Sequence, residues 1–535
     1  MNAGKLIDTP HAFTTDRPDN DICFILEGTY PYVLGGVSGW LHELLKALQD
    51  KKIAVVAVMP TRKDLAFKYD VPKNITAVQN IFLDDAIPGR PARSKDLTAI
   101  RDIHALMRRI ILDGDSVAYE HAKARIEESG LGHDALLHSR QAWTAILEIY
   151  EETSSVASLL QFFWTWRSLV SGVMASMFCN LPDASLYHAI STGYAGLVGA
   201  RIAQSLNRPY LITEHGIYTN ERRIELNVAD WLFDSGRAGF SVENEERELR
   251  DLWLSAFSSF ARFAYDQADE ITTLYEGNQL FQIADGAPQE KLKIIPNGVD
   301  VDRFKSARAA NDEDTPTVAL IGRVVPIKDI RMFIAACGEL KKTVPNAKAL
   351  ILGPHEEDPE YAEQCLSLVK QLELEDMIEF CGRVNIIDYL PQIHVLALTS
   401  LSEAQPLVLL EAGAAGIPSI TTDVGSCREI IEGFHGDTVK GVGGRVVDCA
   451  DSTAAGKAMS EILLDADLRK SMGAVMQERV MTTYNKTKID ARYRELYDFW
   501  IQTANARRAE DALNQPAPPA NLTKPAKREA KTWLA

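Results

Sequence analysis

Twice along this chain a short apolar run closes on a glycine-containing turn, enters a helix and returns to a second apolar run. The first instance is DICFILEG, apolar over residues 22–26. The turn and helix of TYPYVLGGVSGWLHELLKALQDKK follow, and IAVVAVMP at 53–60 is the second run. Leu41, Leu44, Leu45 and Leu48 recur at helical spacing. A strand, a glycine-rich turn, a helix and a strand make one β-α-β unit, the opening of a doubly wound sheet. The pattern restarts after KLKIIPNGVDVDRF, with the strand TVALIGRV at 317–324, the helix IRMFIAACGELKKTVP and the strand AKALILGP. A chain of 535 residues exceeds what one hydrophobic core usually serves, so two α/β domains are expected.

The first domain is placed at 21–290, after a polar leader at 1–20, and the second at 291–480. Within the first, residues 94–177 differ from their surroundings. Apolar residues there keep a helical period and turn signals are sparse, which predicts a helical insertion. Its end, SLLQFFWTWRSLVSGVMASMF, is rich in aromatics and reads as a buried helix or as a partner contact. The first sheet resumes with ASLYHAIS, PYLITEHG and EITTLY, and a polar helical stretch is expected at 220–269. In the second domain MIEFCGRV, VLALTS and PSITTDVG alternate with helices. A helix near 482–501, in a segment 481–508 that returns to the first domain, precedes a tail at 509–535. The Pro and Ala content of that tail predicts disorder.

Lys and Arg number 57 against 74 Asp and Glu, a formal net charge of −17. Such a chain repels phosphate backbones, so nucleic acid is excluded as a general partner. The seven cysteines form no C-x-x-C pair, which argues against a disulfide framework or a zinc site and fits a reducing compartment. The start lacks the basic-then-apolar pattern of a signal peptide, and no run of about 20 uncharged apolar residues occurs. A soluble cytoplasmic protein is expected.

Four short patterns carry chemistry. In IGRVVPIKD, Arg323 and Lys328 follow a strand end and precede a helix; a planar fork and a point charge together suit a diphosphate. In SLSEAQPLVLLEAGAAGIPSI, Glu403 and Glu411 are two carboxylates able to accept hydrogen bonds from sugar hydroxyls, with helix capping as the alternative. Ala404, Gln405 and Pro406 lie between them and place backbone N–H groups at the loop. In TDVGSCREI, Gly425 opens a turn before a helix. The loop at 33–39, VLGGVSG, permits close approach of a ligand to the start of the first helix.

The ordered set LGGVSGW, TEHG, IPNGVDVDRF, IGRVVPIKD and the E-x7-E pair resembles the retaining GT-B glycosyltransferases of family GT4 over most of the chain. FILEGTYPYVLGGVSGW and LITEHGIYTNERRIEL resemble a narrower group, the PelF proteins of bacterial Pel exopolysaccharide assembly. The resemblance implies a GT-B fold: two facing Rossmann-like domains, a helical insertion in the first and a C-terminal helix returning to it. It implies transfer of a hexose from a UDP-sugar, UDP-glucose by the usual assignment, to a growing polysaccharide acceptor. Arg323 and Lys328 would hold the diphosphate, Glu411 the ribose and Glu403 the donor hexose, with backbone support from Ala404 to Leu407. Gly36 would lie against the phosphates from the first domain. His188 falls where these enzymes often place a histidine beside the reacting sugar, and otherwise reads as a strand-end core histidine. Glu214 and His215 end a strand facing the cleft and are acceptor-side candidates. Ser426 stands where a second glycine is usual after Gly425. No D-x-D motif sits at a suitable strand end, so neither a metal nor a cofactor is expected.

Two other classes fit the same residues: a GT-B-like UDP-sugar epimerase, and a non-catalytic UDP-sugar-binding assembly subunit. The resemblance also implies docking to membrane-bound Pel subunits at the inner membrane. Two surfaces are candidates for it: the aromatic end of the insertion, with Phe162, Phe163, Trp164 and Trp166, and the basic tail residues Lys524, Lys527, Arg528 and Lys531.

Overall fold

The structure, a computed structural model, describes residues 18–62, 65–153, 158–228, 249–307 and 314–514. The expected leader lies almost wholly outside these residues. So does most of the expected tail, including Lys524, Lys527, Arg528 and Lys531.

The first domain opens with β1 (Asn20–Glu27), α1 (Gly36–Ala47), β2 (Ile53–Met59) and β3 (Ile75–Phe82). The insertion follows as α2 (Leu97–Asp113), α3 (Ser116–Ser129), α4 (His133–Leu137), α5 (Arg140–Thr153) and α6 (Leu159–Phe178). The domain continues with β4 (Ala184–Ala189), α7 (Tyr194–Leu206), β5 (Tyr210–Glu214), α8 (Tyr218–Val228), α9 (Leu249–Gln267), β6 (Glu270–Thr273), α10 (Glu276–Ala284) and β7 (Leu292–Ile294). The strands form one parallel sheet in the order β3-β2-β1-β4-β5-β6-β7. Every residue of β2, β4 and β5 is buried, as a parallel sheet covered on both faces requires. On one face Cys23, Ile25, Val56 and Ile212 pack on α7, α9 and the insertion; on the other Phe24, Leu26, Leu186 and Leu211 pack on α1 and the C-terminal helix.

The second domain comprises α11 (Val301–Lys305), β8 (Thr317–Ile321), α12 (Ile330–Lys341), β9 (Lys348–Leu352), α13 (Pro359–Gln371), β10 (Ile378–Gly382), β11 (Val395–Leu398), α14 (Leu407–Ala414), β12 (Ser419–Thr422), α15 (Cys427–Glu432), β13 (Gly444–Val447), α16 (Ser452–Leu464) and α17 (Ala466–Thr483). Its parallel sheet has the order β10-β9-β8-β11-β12-β13. In both sheets the order reverses beside the first strand, β1 or β8, and such switch points are where α/β sheets bind ligands. α18 (Lys486–Asn514) then runs back over the first sheet, where Tyr493 and Tyr497 are buried beside Phe24.

The chain crosses between domains at 295–299 and again at 484–486. The two crossings bond to each other, Val299 N–H to the Tyr484 carbonyl and Lys486 N–H to the Val299 carbonyl. Gly298 is required there, since a Cβ would stand 2.6 Å from the Cα of Lys486.

The structure departs from these expectations at β3 and at the start of the tail. β3 was not foreseen: it is a half-buried edge strand carrying Gln79 and Asn80, so it lacks an apolar run. The returning C-terminal helix is α18, and it runs through the first six residues of the expected disordered tail. Of the two readings of the aromatic end of the insertion, the buried helix holds: Phe162 and Trp166 are buried, and the Trp166 indole N–H donates to His104 at 3.0 Å. Trp164 is exposed. Among the described residues no helix is long and apolar enough to cross a membrane.

Candidate active site

The second domain brings Lys328 and Glu403 together at the carboxyl ends of the adjacent strands β8 and β11. A short turn at 326–329 folds onto the residues after β11. The Thr399 hydroxyl donates to the carbonyls of Lys328 and Asp329, 3.0 Å each, and Leu401 N–H donates to the Ile327 carbonyl at 2.8 Å. That clamp sets the Lys328 ammonium on Glu403 Oε1 in a largely buried ion pair, and the Ser400 hydroxyl donates to the same oxygen at 2.6 Å. Sequence reasoning gave the two residues separate ligand partners; the fold makes them one unit.

Arg323 points the other way, toward β9. It is exposed and ion-paired with Glu357 in the loop after β9. The expected Arg323–Lys328 pair is therefore divided across the turn. An exposed pair of this kind is worth at most about 1 kcal/mol.

Glu411 stands in the second turn of α14, half-buried. Burial raises its carboxyl above the usual range, opposed by the charge of Arg303 on α11. Glu403 to Leu407 form the loop feeding α14, with Pro406 at the N-cap and Leu407 exposed. Ala404 accepts the Ser426 N–H at 2.9 Å through its carbonyl. Gly425 has φ +54°, and a Cβ there would stand 2.3 Å from the carbonyl oxygens of Glu403 and Ala404, so only glycine lets the two loops meet. Gln405 faces the interdomain crossing and accepts the Asn297 N–H at 2.6 Å, which fixes the loop before α14 to that crossing. A second contact between domains joins Gly277 N–H of α10 to Glu429 of α15 at 3.2 Å. Gly36, the first residue of α1, is exposed, with open space where a Cβ would stand.

The first domain corrects two of the expected roles. His188 is fully buried in β4, its Nδ1 paired with the Tyr497 hydroxyl at 3.0 Å and its Nε2 with the Thr213 hydroxyl at 2.8 Å. It faces α18, with both ring nitrogens engaged, and is a core histidine rather than a group beside a reacting sugar. Glu214 is likewise enclosed. It accepts from Thr192, the Tyr218 N–H, Tyr265 and Gln282, and organises the end of β5 instead of facing an acceptor. Its burial raises its pKa, opposed first by the Gln282 hydrogen bond. His215 lies against Trp40, ring centroids 4.4 Å apart, and burial holds it down to about 4. Sequence reasoning missed Glu27 at the end of β1. It accepts from the Tyr218 hydroxyl at 2.7 Å and the Ala195 N–H at 3.4 Å. Burial raises its carboxyl, opposed by Tyr218.

Burial also holds His188 down to about 3. The unfolded chain, with a histidine near 6.5, takes up a proton first, so His188 costs no stability above about pH 6.5 and progressively more below it, down to its folded value. Between pH 6.5 and 5 the loss is about 2 kcal/mol. Urea midpoints of a His188→Phe variant should fall less steeply over that interval than those of the native chain. Equal slopes would mean that His188 is not held neutral.

One group among the described residues has metal-ligand spacing, His133, Asp134 and His138, on the insertion. Arg167 Nε donates to His138 Nε2 at 2.8 Å, which places a cation beside the group.

Residues 20–290, half of the chain, match the family described as Domain of unknown function (DUF3492). The chain belongs to that family. Residues 301–479 of this DUF3492 protein match the family described as Glycosyl transferases group 1. N-acetyl-alpha-D-glucosaminyl L-malate synthase of Bacillus anthracis is 26% identical over 45% of this chain and 62% of its own length. GDP-mannose-dependent alpha-(1-6)-phosphatidylinositol monomannoside mannosyltransferase of Mycobacterium tuberculosis is 31% identical over 36% of this chain and 52% of its own. The DUF3492 chain thus spans just over half the length of such relatives. Among solved structures, Anabaena HepE in complex with UDP aligns with a TM-score of 0.54 at 15% identity, covering 89% of this chain and 99% of its own. Sucrose-phosphate synthase of Thermosynechococcus elongatus aligns with a TM-score of 0.53 at 17% identity, over 90% and 100%. Two Rossmann-like domains with all-parallel sheets are the GT-B fold.

Proposed function

We propose that this DUF3492 protein is a retaining glycosyltransferase. It moves a hexose from a UDP-sugar, UDP-glucose in this reading, to a growing exopolysaccharide, as the polymerase of Pel polysaccharide. The carrying observation is the Lys328–Glu403 pair at the ligand-binding edge of a domain matched to Glycosyl transferases group 1, with Glu411 one helix turn and a loop away. The UDP and UDP-glucose bound by HepE support the choice of donor. Lys328, with Arg323 recruited from Glu357, neutralises the diphosphate without a metal. Glu411 accepts from the ribose and Glu403 from the hexose. The bond between the anomeric carbon and the phosphate oxygen breaks, the acceptor oxygen bonds to that carbon from the same face, and its proton passes to the departing phosphate. A cation fixed at the diphosphate stabilises the charge that develops there. The protein works at the inner membrane through membrane-bound Pel subunits.

UDP should raise the melting temperature with EDTA present, by an amount corresponding to about 2.7 kcal/mol at a hundred times its Kd. Loss of the shift on adding chelator would overturn the metal-free reading. Glu411→Ala should weaken UDP binding by about 1–3 kcal/mol, the scale of a hydrogen bond to a charged group. Glu403→Ala should slow transfer at nearly unchanged UDP affinity. Calorimetric titration with UDP checks both, and equal losses would sink the division into ribose and hexose roles.

A further inference from the structure

At the amino-terminal edge of the first sheet, opposite the edge where α/β sheets bind substrates, two guanidiniums converge. Tyr187 of β4 pairs with Tyr210 of β5. Two residues earlier, Ser185 and Arg208 therefore lie level at the starts of adjacent strands, about 4.8 Å apart. Arg508 reaches the same point from α18, and its Nη2 donates to the Ser185 hydroxyl at 3.4 Å. Arg208 is 7% exposed, and its Nε and Nη1 are buried with no hydrogen-bond partner among the described residues. Arg508 Nη1 is in the same condition. Burial lowers the pKa of Arg508, the charge of Arg208 lowers it further, and the facing Asp183 opposes both. One carboxylate thus faces two guanidiniums. The neighbouring Arg507 is paired with its own carboxylate, Asp269. Buried charged donors left without acceptors are costly, more so than neutral ones.

We propose that this edge binds an oxyanion of the phosphate class, free or as an ester, between Arg208 and Arg508, with the Ser185 hydroxyl as a further donor. The site shares no residue with the Lys328–Glu403 pair and does not depend on the glycosyltransferase reading. A guanidinium presents its N–H groups as a fork and binds oxyanions through charge-assisted hydrogen bonds. Three open nitrogens on two side chains outnumber the two oxygens of a carboxylate, whereas a tetrahedral anion offers an oxygen to each. Its charge also relieves the repulsion between the two arginines. Bound there, the anion joins the start of β5 to the last turns of α18. That helix begins at the interdomain crossing at 484–486, so the ligand braces against the first sheet the element that carries one of the two links between domains.

The test uses the full chain in a phosphate-free buffer at fixed ionic strength and follows thermal unfolding with inorganic phosphate, glycerol 3-phosphate, acetate or chloride. Inorganic phosphate should raise the melting temperature by about 2 °C at ten times its Kd, and acetate and chloride should not. An equal or larger rise with glycerol 3-phosphate assigns the site to a phosphate ester, and a rise with inorganic phosphate alone assigns it to the free ion. Arg208→Met and Arg508→Met should each weaken phosphate binding about tenfold or more in calorimetric titration, the scale of one hydrogen bond between charged groups. Lys328→Ala should keep the native response, which separates this site from the second domain. Without phosphate, Arg208→Met should melt no lower than the native chain, because it deletes a buried charge that lacks its acceptors. Arg508→Met, at a position partly open to solvent, keeps the binding test valid if the Arg208 variant folds poorly. A phosphate response that survives in both arginine variants, is matched by acetate or does not exceed that of chloride overturns the proposal. So does an Arg208→Met chain melting more than about 5 °C below native in phosphate-free buffer, since the guanidinium would then already have an internal partner.

Discussion

Lys328→Ala should turn over UDP-sugar about 10²–10³-fold more slowly than the native chain, the scale for losing one preorganised charge at a developing anion. The residue is held by the turn at 326–329, which Thr399 ties to the end of β11, so its ammonium needs no reorganisation when the diphosphate gains charge. Its removal also strips Glu403 of its cation, leaving the Ser400 hydroxyl as the remaining partner on Oε1. The two losses are coupled. A Lys328→Ala/Glu403→Ala double variant should therefore be much less impaired than the product of the single effects. Lys328→Arg keeps the charge but replaces a compact ammonium with a planar fork, and should recover only part of the rate. Steady-state UDP release for the native chain, Lys328→Ala, Glu403→Ala, the double variant and Lys328→Arg decides the matter. Single variants within threefold of native would remove Lys328 from the chemistry, and strictly multiplicative effects would show that the pair does not act as a unit.

What the sequence disclosed follows burial. Strands covered on both faces leave unbroken apolar runs, so β1, β2, β4, β8 and β9 were legible; β3, exposed along one edge, left no such run. Short motifs with glycine and charge announced Arg323, Lys328, Glu403 and Glu411. Their grouping was not legible. It depends on β8 and β11 being neighbours, with Val318 opposite Val395, although more than 70 residues separate them. His188 misled because an apolar strand with a single histidine gives no sign of which face that histidine takes. Its direction is set by Tyr497, 309 residues away. The open nitrogens of Arg208 and Arg508 are invisible in sequence for the same reason: whether a polar group is satisfied is a property of its surroundings. Glu27 was passed over as the end of an apolar run, and only the position of Tyr218 shows that it is held in place.

Arg479→Ala should destabilise the second domain by about 3–5 kcal/mol, the cost of removing one partner from a buried ion pair. Arg479 is fully buried in α17. Its Nε donates to Asp437 at 2.7 Å, and its terminal nitrogens donate to the carbonyls of Ile430, Ile431, Val439 and Gly441. One guanidinium thus closes the carboxyl end of α15 and holds the loop that leads to β13. Alanine leaves Asp437 buried without its cation and those carbonyls without this donor, and each unmet group adds to the cost. Lysine retains the charge but cannot present five donors in a plane, so Arg479→Lys should recover only part of the loss. Arg479→Met combined with Asp437→Leu removes both charges and should be less destabilised than Arg479→Ala alone. The effect reaches the site, because α15 follows the Gly425 turn packed on Glu403 and carries Glu429, which accepts from Gly277 of the first domain. Thermal unfolding should drop by roughly 10 °C for Arg479→Ala, with a smaller UDP-induced shift in the fraction that remains folded. A loss below 1 kcal/mol would mean that water replaces the guanidinium, and that this buried pair does not hold the donor-side loops in place.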